Sequence, residues 1–177
     1  MTPSPIVTKR LNLRPASDGD AESLFYNYCS DIESSRFLTR QPHSNIEQTL
    51  QFLTKWCDIA WKESLPEFAW VISLRKNREA IGVFLVTLKE RNAQIHYGIS
   101  RRFECQGLIT EAGLAVVEWL QIQSDVKEIS TVCDLDNHGS IRVLEKLGFE
   151  NQGILKEGLH LPAFGHKARD CYRYLKK

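Results

Sequence analysis

The chain has no excess of charge, no paired cysteine spacing and no apolar run of membrane length. Each absence removes a class of protein. Lysine and arginine number 23 against 22 aspartate and glutamate, so no overall field favours nucleic acid or a membrane surface as partner. The five cysteines, Cys29, Cys57, Cys105, Cys133 and Cys171, are dispersed without a CxxC pair. Such a set reads as free thiols in a reducing cytoplasm. The five histidines show no metal-ligand spacing, and no metal is expected. No stretch approaches the roughly 20 apolar residues of a membrane span. Met1-Thr2-Pro3-Ser4-Pro5 offers no apolar signal core. Neither the phosphate-cradling GxxxxGK motif nor a strand-linked GxGxxG is present, so the two common nucleotide fingerprints are missing. Repeats, low-complexity tracts and linkers are absent as well.

What remains is an ordinary globular composition: 177 residues, 42% hydrophobic and 25% charged. One domain over residues 1–177 is expected. Residues 8–14 alternate in character and stop at Pro15, as a first strand does. Ser17 to Asp20 caps a helix to about residue 30, and Asn45 caps a longer one to about 62. Strands over 68–74, 80–88 and 93–100, joined by polar turns, predict an antiparallel meander. A helix over 108–123 carries an apolar stripe at Ala112, Ala115, Val116, Trp119 and Leu120. A strand over 128–133, a short helix to 147, and strands near 149–155 and 168–175 complete an α+β order.

Two junctions stand out chemically. Gln106-Gly107-Leu108-Ile109-Thr110-Glu111-Ala112 opens a helix with a glycine. A helix start leaves about four N–H groups unpaired and carries partial positive charge, and glycine lets a phosphate come close. Asp136-Asn137-His138-Gly139-Ser140 puts an Asn and a Ser three residues apart at a strand-to-helix junction, and Leu147-Gly148-Phe149 closes that helix. Capping accounts for one of the two polar residues, not both.

Taken in order with Thr8-Lys9-Arg10-Leu11-Asn12-Leu13-Arg14, Ile81-Gly82-Val83 and Ala93-Gln94-Ile95-His96-Tyr97-Gly98-Ile99-Ser100, these segments resemble the GNAT superfamily of N-acetyltransferases. The similarity is greatest to the RimJ/RimL-like branch, which includes ribosomal-protein N-terminal acetylases. It implies a mixed, mostly antiparallel twisted sheet of about seven strands, flanked by about four helices and splayed between strands four and five. It also implies acetyl-CoA as cosubstrate, held in that opening. By the same resemblance, backbone amides of Gln106, Gly107, Leu108, Ile109 and Thr110 take the pyrophosphate. The strand edge at Ile99, Ser100 and Arg101 pairs with the pantetheine, and Asn137 holds the pantetheine arm or orders a water. Ser140 lies near the sulfur and donates a proton to it. The sequence departs from the family at Cys105, where Gly is usual, at Ile109, and on the fourth strand at Gln94, His96 and Gly98.

Direct transfer needs a neutral amine. A lysine amine with pKa ~10.4 costs roughly 4.6 kcal/mol to deprotonate at pH 7, and an α-amine near 8 about 1.4. An α-amine therefore needs little beyond a positioned acceptor. The candidate bases are Glu157, after the sixth strand, and His96, whose ordinary pKa suits the task. A protein N-terminus is the expected acceptor. A small amine (antibiotic, polyamine or amino acid) is the alternative, and a non-catalytic acyl-CoA-sensing module is the rival of another class. Apolar residues on the early helices fit either core or a homodimer interface.

Overall fold

The computed structural model describes residues 1–177. Its sheet has eight strands in the order β1-β2-β3-β4-β5-β6-β8-β7. These are β1 (Ile6–Val7), β2 (Leu11–Arg14), β3 (Glu67–Leu74), β4 (Ala80–Lys89), β5 (Asn92–Ile99), β6 (Glu128–Asp134), β7 (Glu150–Leu159) and β8 (Arg169–Lys176). Every neighbouring pair is antiparallel except β5–β6. The expected first strand is broken in two. Thr8 turns the chain back, its N–H bonding Leu11 O, so β1 folds onto β2 as an extra strand.

The expected four helical bodies are present. Helix α1 (Asp20–Leu24) runs on into a π-helical segment, Phe25–Cys29. Helix α2 (Ile46–Leu53) continues through π-helical Thr54–Ile59 into α3 (Ala60–Lys62). Asn45 caps α2, its side-chain oxygen accepting from Gln48 N at 2.9 Å. Helices α4 (Leu108–Gln121) and α5 (His138–Lys146) follow. The π-helical widenings lie within residues that read as continuous α-helix in the sequence, because one extra residue per turn leaves no compositional trace.

Strand β3 is buried along almost its whole length, and strand alternation divides its side chains between two cores. Phe68, Trp70 and Ile72 join Ala112, Val116 and Leu120 of α4 on one face. Ala69 and Val71 meet Leu24, Tyr28, Leu53 and Cys57 of the early helices on the other. Helices on both faces explain why its sequence is apolar throughout rather than alternating. Gly82 lets β4 approach β5 closely: a Cβ there would lie 2.3 Å from Gly98 O. Gly98 in turn has no room for a side chain, because Tyr28 Oη occupies that space, 1.9 Å from where a Cβ would be.

The sheet is not continuous between β5 and β6. They pair only over Asn92–Gln94 and Glu128–Ser130, and Thr131 Oγ1 donates to Ile95 O at 2.8 Å as the last link. Beyond it the strands diverge.

Candidate active site

The opening between β5 and β6 has one strand edge as a wall. Ser100 N–H is used by Ile81 O of β4 at 2.8 Å, and Ser100 O accepts from Phe103 N. By strand alternation the N–H and C=O groups of Tyr97 and Ile99 face the opening. This corrects one expectation: the backbone groups of Ser100 are spent inside the fold. Of the predicted segment, Ile99 has a free edge, and Arg101 is exposed at the start of the loop.

That loop leads to α4 and leaves its amides unpaired. Backbone N–H groups of residues 105 to 110 have no acceptor in the protein, whereas Glu104 N bonds Arg101 O and Glu111 N bonds Gly107 O. Cys105 (φ 56°) and Gly107 (φ 70°) both adopt the left-handed conformation. Such alternation curls successive N–H groups into an anion-binding concavity at the positive end of a helix. Gln106 and Gly107 are exposed there, Ile109 and Thr110 half-buried, and Leu108 buried.

The loop is held from behind by residues that sequence reading passed over. Arg10 Nη1 donates to Gln106 O at 2.9 Å, and Arg10 Nε to Glu111 Oε2 at 2.6 Å. Thr8 Oγ1 and Arg10 N both donate to Glu111 Oε1. Burial works to raise the Glu111 pKa, but the hydrogen bonds from Thr8 and Arg10 outweigh it and bring it below the usual value. The T-x-R spacing near the N-terminus was the available signal.

Asn137 and Ser140 sit at the β6–α5 junction, both half-buried. Asn137 Oδ1 accepts from Ser140 N at 3.1 Å, so its oxygen caps the helix while its amide group remains available. Ser140 Oγ lies 2.9 Å from Tyr97 Oη on the opposite wall. Beneath the junction, the fully buried Asp134 side chain accepts from Arg169 Nε at 2.6 Å, from Arg169 Nη2 at 3.1 Å and from Asp136 N at 3.0 Å. Burial would raise the Asp134 pKa, and the bonds from Arg169 and Asp136 N reverse the shift and lower it. The nearby Cys133 thiol is pushed up to about 11, chiefly by burial. It stays protonated at neutral pH and is no nucleophile.

On the sheet's other face, His96 and Gln94 line a cavity of about 530 Å³. Thr39, Val132, Gly158, Leu159, His160 and Pro162 complete it, so no formally charged side chain lines it. Burial lowers the His96 pKa, which keeps the imidazole neutral and able to accept a proton. Two residues beyond Pro162 of this lining, the Phe164 ring has the Arg169 guanidinium 4.2 Å from its centroid, Arg36 at 5.4 Å and the Phe37 ring at 5.7 Å.

Glu157 is not brought into this cavity. Its neighbour Gly158 provides the lining, while Glu157 is exposed at a left-handed kink (φ 48°) in β7, its N–H bonded to Asp170 Oδ1 at 3.0 Å. The register of β7 slips there between Leu155 and Leu159, which turns Gly158 inward instead.

The sheet thus opens between its two parallel strands, with a loop of unpaired amides at one end and a polar pocket on the other face. Residues 10–150 match the acetyltransferase (GNAT) domain, and the chain belongs to that family of N-acetyltransferases. It is 29% identical over 156 residues to an uncharacterised N-acetyltransferase, YoaA, of Bacillus subtilis, covering 86% of each chain. The fold superposes on a GNAT-family acetyltransferase from Bacillus anthracis with a TM-score of 0.84 at 20% identity, covering 98% of both. It also matches RimL, the ribosomal L7/L12 α-N-protein acetyltransferase, in complex with coenzyme A, with a TM-score of 0.82 at 20% identity over 97% of this chain and 96% of that one. No helix is long and apolar enough to cross a membrane.

Proposed function

We propose that the protein transfers acetyl from acetyl-CoA directly to a protein N-terminal α-amine. The observation that carries this reading is the run of unpaired N–H groups at 105 to 110, continuous with the open edge of β5 and ending at Ser140. Acetyl-CoA, when bound, supplies the activated acetyl thioester. The amides of Gln106, Gly107, Leu108, Ile109 and Thr110 fit its pyrophosphate. The edge at Ile99, the exposed Arg101 and the Asn137 amide fit its pantetheine arm.

His96 replaces Glu157 as the base, because it lines the acceptor cavity and is neutral. It takes the proton from the attacking amine, directly or through one water. Tyr97 and Ile99 N–H groups on the open edge are placed to stabilise negative charge on the acetyl oxygen. Ser140 gives its proton to the departing sulfur. Holding both reactants on either side of one opening supplies much of the rate.

An uncharged cavity suits one small N-terminal side chain and disfavours polyamines, whose several charges would be desolvated without partners. RimL, by its name, acts on a protein α-amine, in keeping with this choice. Five free thiols suit a reducing compartment such as the cytoplasm.

The test is thiol release from acetyl-CoA with a panel of short peptides of varied first residue, their α-acetylated forms, and free amino acids, antibiotics and polyamines. Turnover on free but not blocked N-termini supports the assignment. Turnover confined to small molecules overturns it in favour of a small-amine enzyme. Saturable coenzyme A binding with no turnover on any acceptor would make the protein a sensing module.

A further inference from the structure

The two walls of the opening touch at one polar point. Tyr97 comes from β5, and Ser140 comes from the first turn of α5, beyond β6. Their hydroxyl oxygens are 2.9 Å apart, and Tyr97 Oη is also 3.3 Å from Ser140 O. The backbones of these walls have already separated at Gln94 and Ser130. This contact therefore spans the gap through which the cosubstrate's thiol end must pass if the reading above is right. The Tyr97 ring packs tilted against Phe84, with centroids 5.5 Å apart.

A serine hydroxyl alone is a poor proton donor, because its rotor is free and its hydrogen can turn to any nearby acceptor. The Ser140 N–H is already fixed by Asn137 Oδ1, but this leaves the hydroxyl torsion open. We infer that Tyr97 is the positioning residue for Ser140: the phenol donates its hydrogen to Ser140 Oγ, which turns the Ser140 hydrogen away from Tyr97 and into the opening, toward the sulfur. An accepted hydrogen bond also polarises the Ser140 O–H and strengthens it as a donor. Tyr97 keeps its own proton throughout. When the C–S bond breaks, the electron pair goes to sulfur and the proton comes from Ser140, which takes a replacement proton from a solvent water in the opening in the same step, while the amine's proton has gone to His96 and on to solvent. Strand alternation sets Tyr97 opposite His96, so donor and acceptor of protons are served from the two faces of one strand.

The inference rests on Ser140 being the donor, and a double-mutant cycle separates the two claims. It comprises Tyr97→Phe, Ser140→Ala and the double variant, each with kcat, the acetyl-CoA dissociation constant by calorimetry and a thermal melt. Ser140→Ala is expected to lower kcat about a hundredfold, a usual contribution of one acid. Tyr97→Phe is expected to lower kcat about tenfold, the rate equivalent of one hydrogen bond, with acetyl-CoA affinity unchanged. In the Ser140→Ala background it should cost nothing further. Equal losses in both backgrounds would make Tyr97 a structural residue and overturn the inference, as would wild-type kcat in Tyr97→Phe. An unchanged kcat in Ser140→Ala sinks the donor reading itself, and the inference with it. A readout without turnover completes the test. In protein labelled at the tyrosine ζ carbon, the Tyr97 carbon resonance should move on Ser140→Ala, and a fixed resonance would show that the hydroxyls do not bond.

Discussion

Cys105 carries a conformational cost that its side chain does nothing to recover. It is exposed, makes no disulfide and holds φ at 56°. A residue with a Cβ pays about 1 kcal/mol or more in the left-handed region. Cys105→Gly should therefore raise the melting temperature by about 2–4 °C for a chain of this size, whereas Cys105→Ala should not, and thermal melts distinguish them. The loop's function does not need the thiol, so acetyl-CoA affinity should survive the change to glycine. His96 makes the other residue-scale prediction. Its lowered pKa means that the imidazole is neutral at pH 7 and protonates only below histidine's ordinary ~6.5. An α-amine acceptor, as proposed, protonates near ~8 and would give the first acid limb in log kcat/KM. Protonation of His96 should steepen that limb from slope one to slope two at lower pH. His96→Gln should abolish the steepening and lower kcat by about 10²-fold. A profile unchanged by that substitution would remove His96 as the base.

At the scale of elements, the site depends on junctions more than on strands or helices. The β6–α5 turn hangs on Asp134, whose side chain is fully buried and paired with Arg169 of β8. Arg169 is 27% exposed and keeps its bond to Asp136 at 2.7 Å, so losing Asp134 removes the hydrogen bonds of a buried carboxylate without stranding the arginine's charge and costs about 1.5–3 kcal/mol. Asp134→Ala should lose stability on that order in denaturant unfolding, and should weaken acetyl-CoA binding because Asn137 and Ser140 lose their support. Near the proposed acceptor cavity, Phe164 belongs to a separate unit, gripped by Arg169 and Arg36. Phe164→Ala should raise KM for the peptide acceptor while leaving KM for acetyl-CoA in place. These junctions were the least legible part of the sequence. Strands and helices announce themselves by local period, and their bounds were readable to within a few residues. Arg169–Asp134, Arg10–Glu111 and Tyr97–Ser140 join residues remote in the chain, and no period marks such pairs. The kink at Glu157 escaped for a related reason. A register slip in β7 depends on its partner β8, and it moved Gly158 rather than the acid into the cavity. Tyr97 was partly within reach, since alternation already set it on the face opposite His96, although only the structure brings Ser140 to that face.

For the molecule as a whole, pH should act in two stages. His43 is lowered to about 4, first by burial and then by Arg40, and His96 is lowered by burial. For both, the unfolded chain binds protons more readily than the native one, so stability is complete above ~6.5 and declines as pH falls toward the native values. Asp134 and Glu111, lowered by their partners, contribute above the usual carboxylate range and lose that contribution at lower pH still. Melts from pH 7.5 to 4 should show the upper decline, and His43→Gln should flatten part of it. The claim on which the rest of the account stands is that the splayed sheet and the unpaired amides form one cosubstrate cleft. Hydrogen–deuterium exchange with and without coenzyme A tests it most directly. Protection is expected at residues 105 to 110, along Tyr97 and Ile99 of β5, and at the Asn137–Ser140 turn. A second cavity of about 580 Å³ lies beside the loop, lined by Lys9, Arg10, Arg75 and Lys76 and by Gln106 and Leu108 of the loop itself, and its charge makes it the natural competitor for a phosphate-rich ligand. Protection confined to the loop and to residues 9–10 and 75–76, with Tyr97, Ile99 and the Asn137–Ser140 turn exchanging as before, would contradict the account.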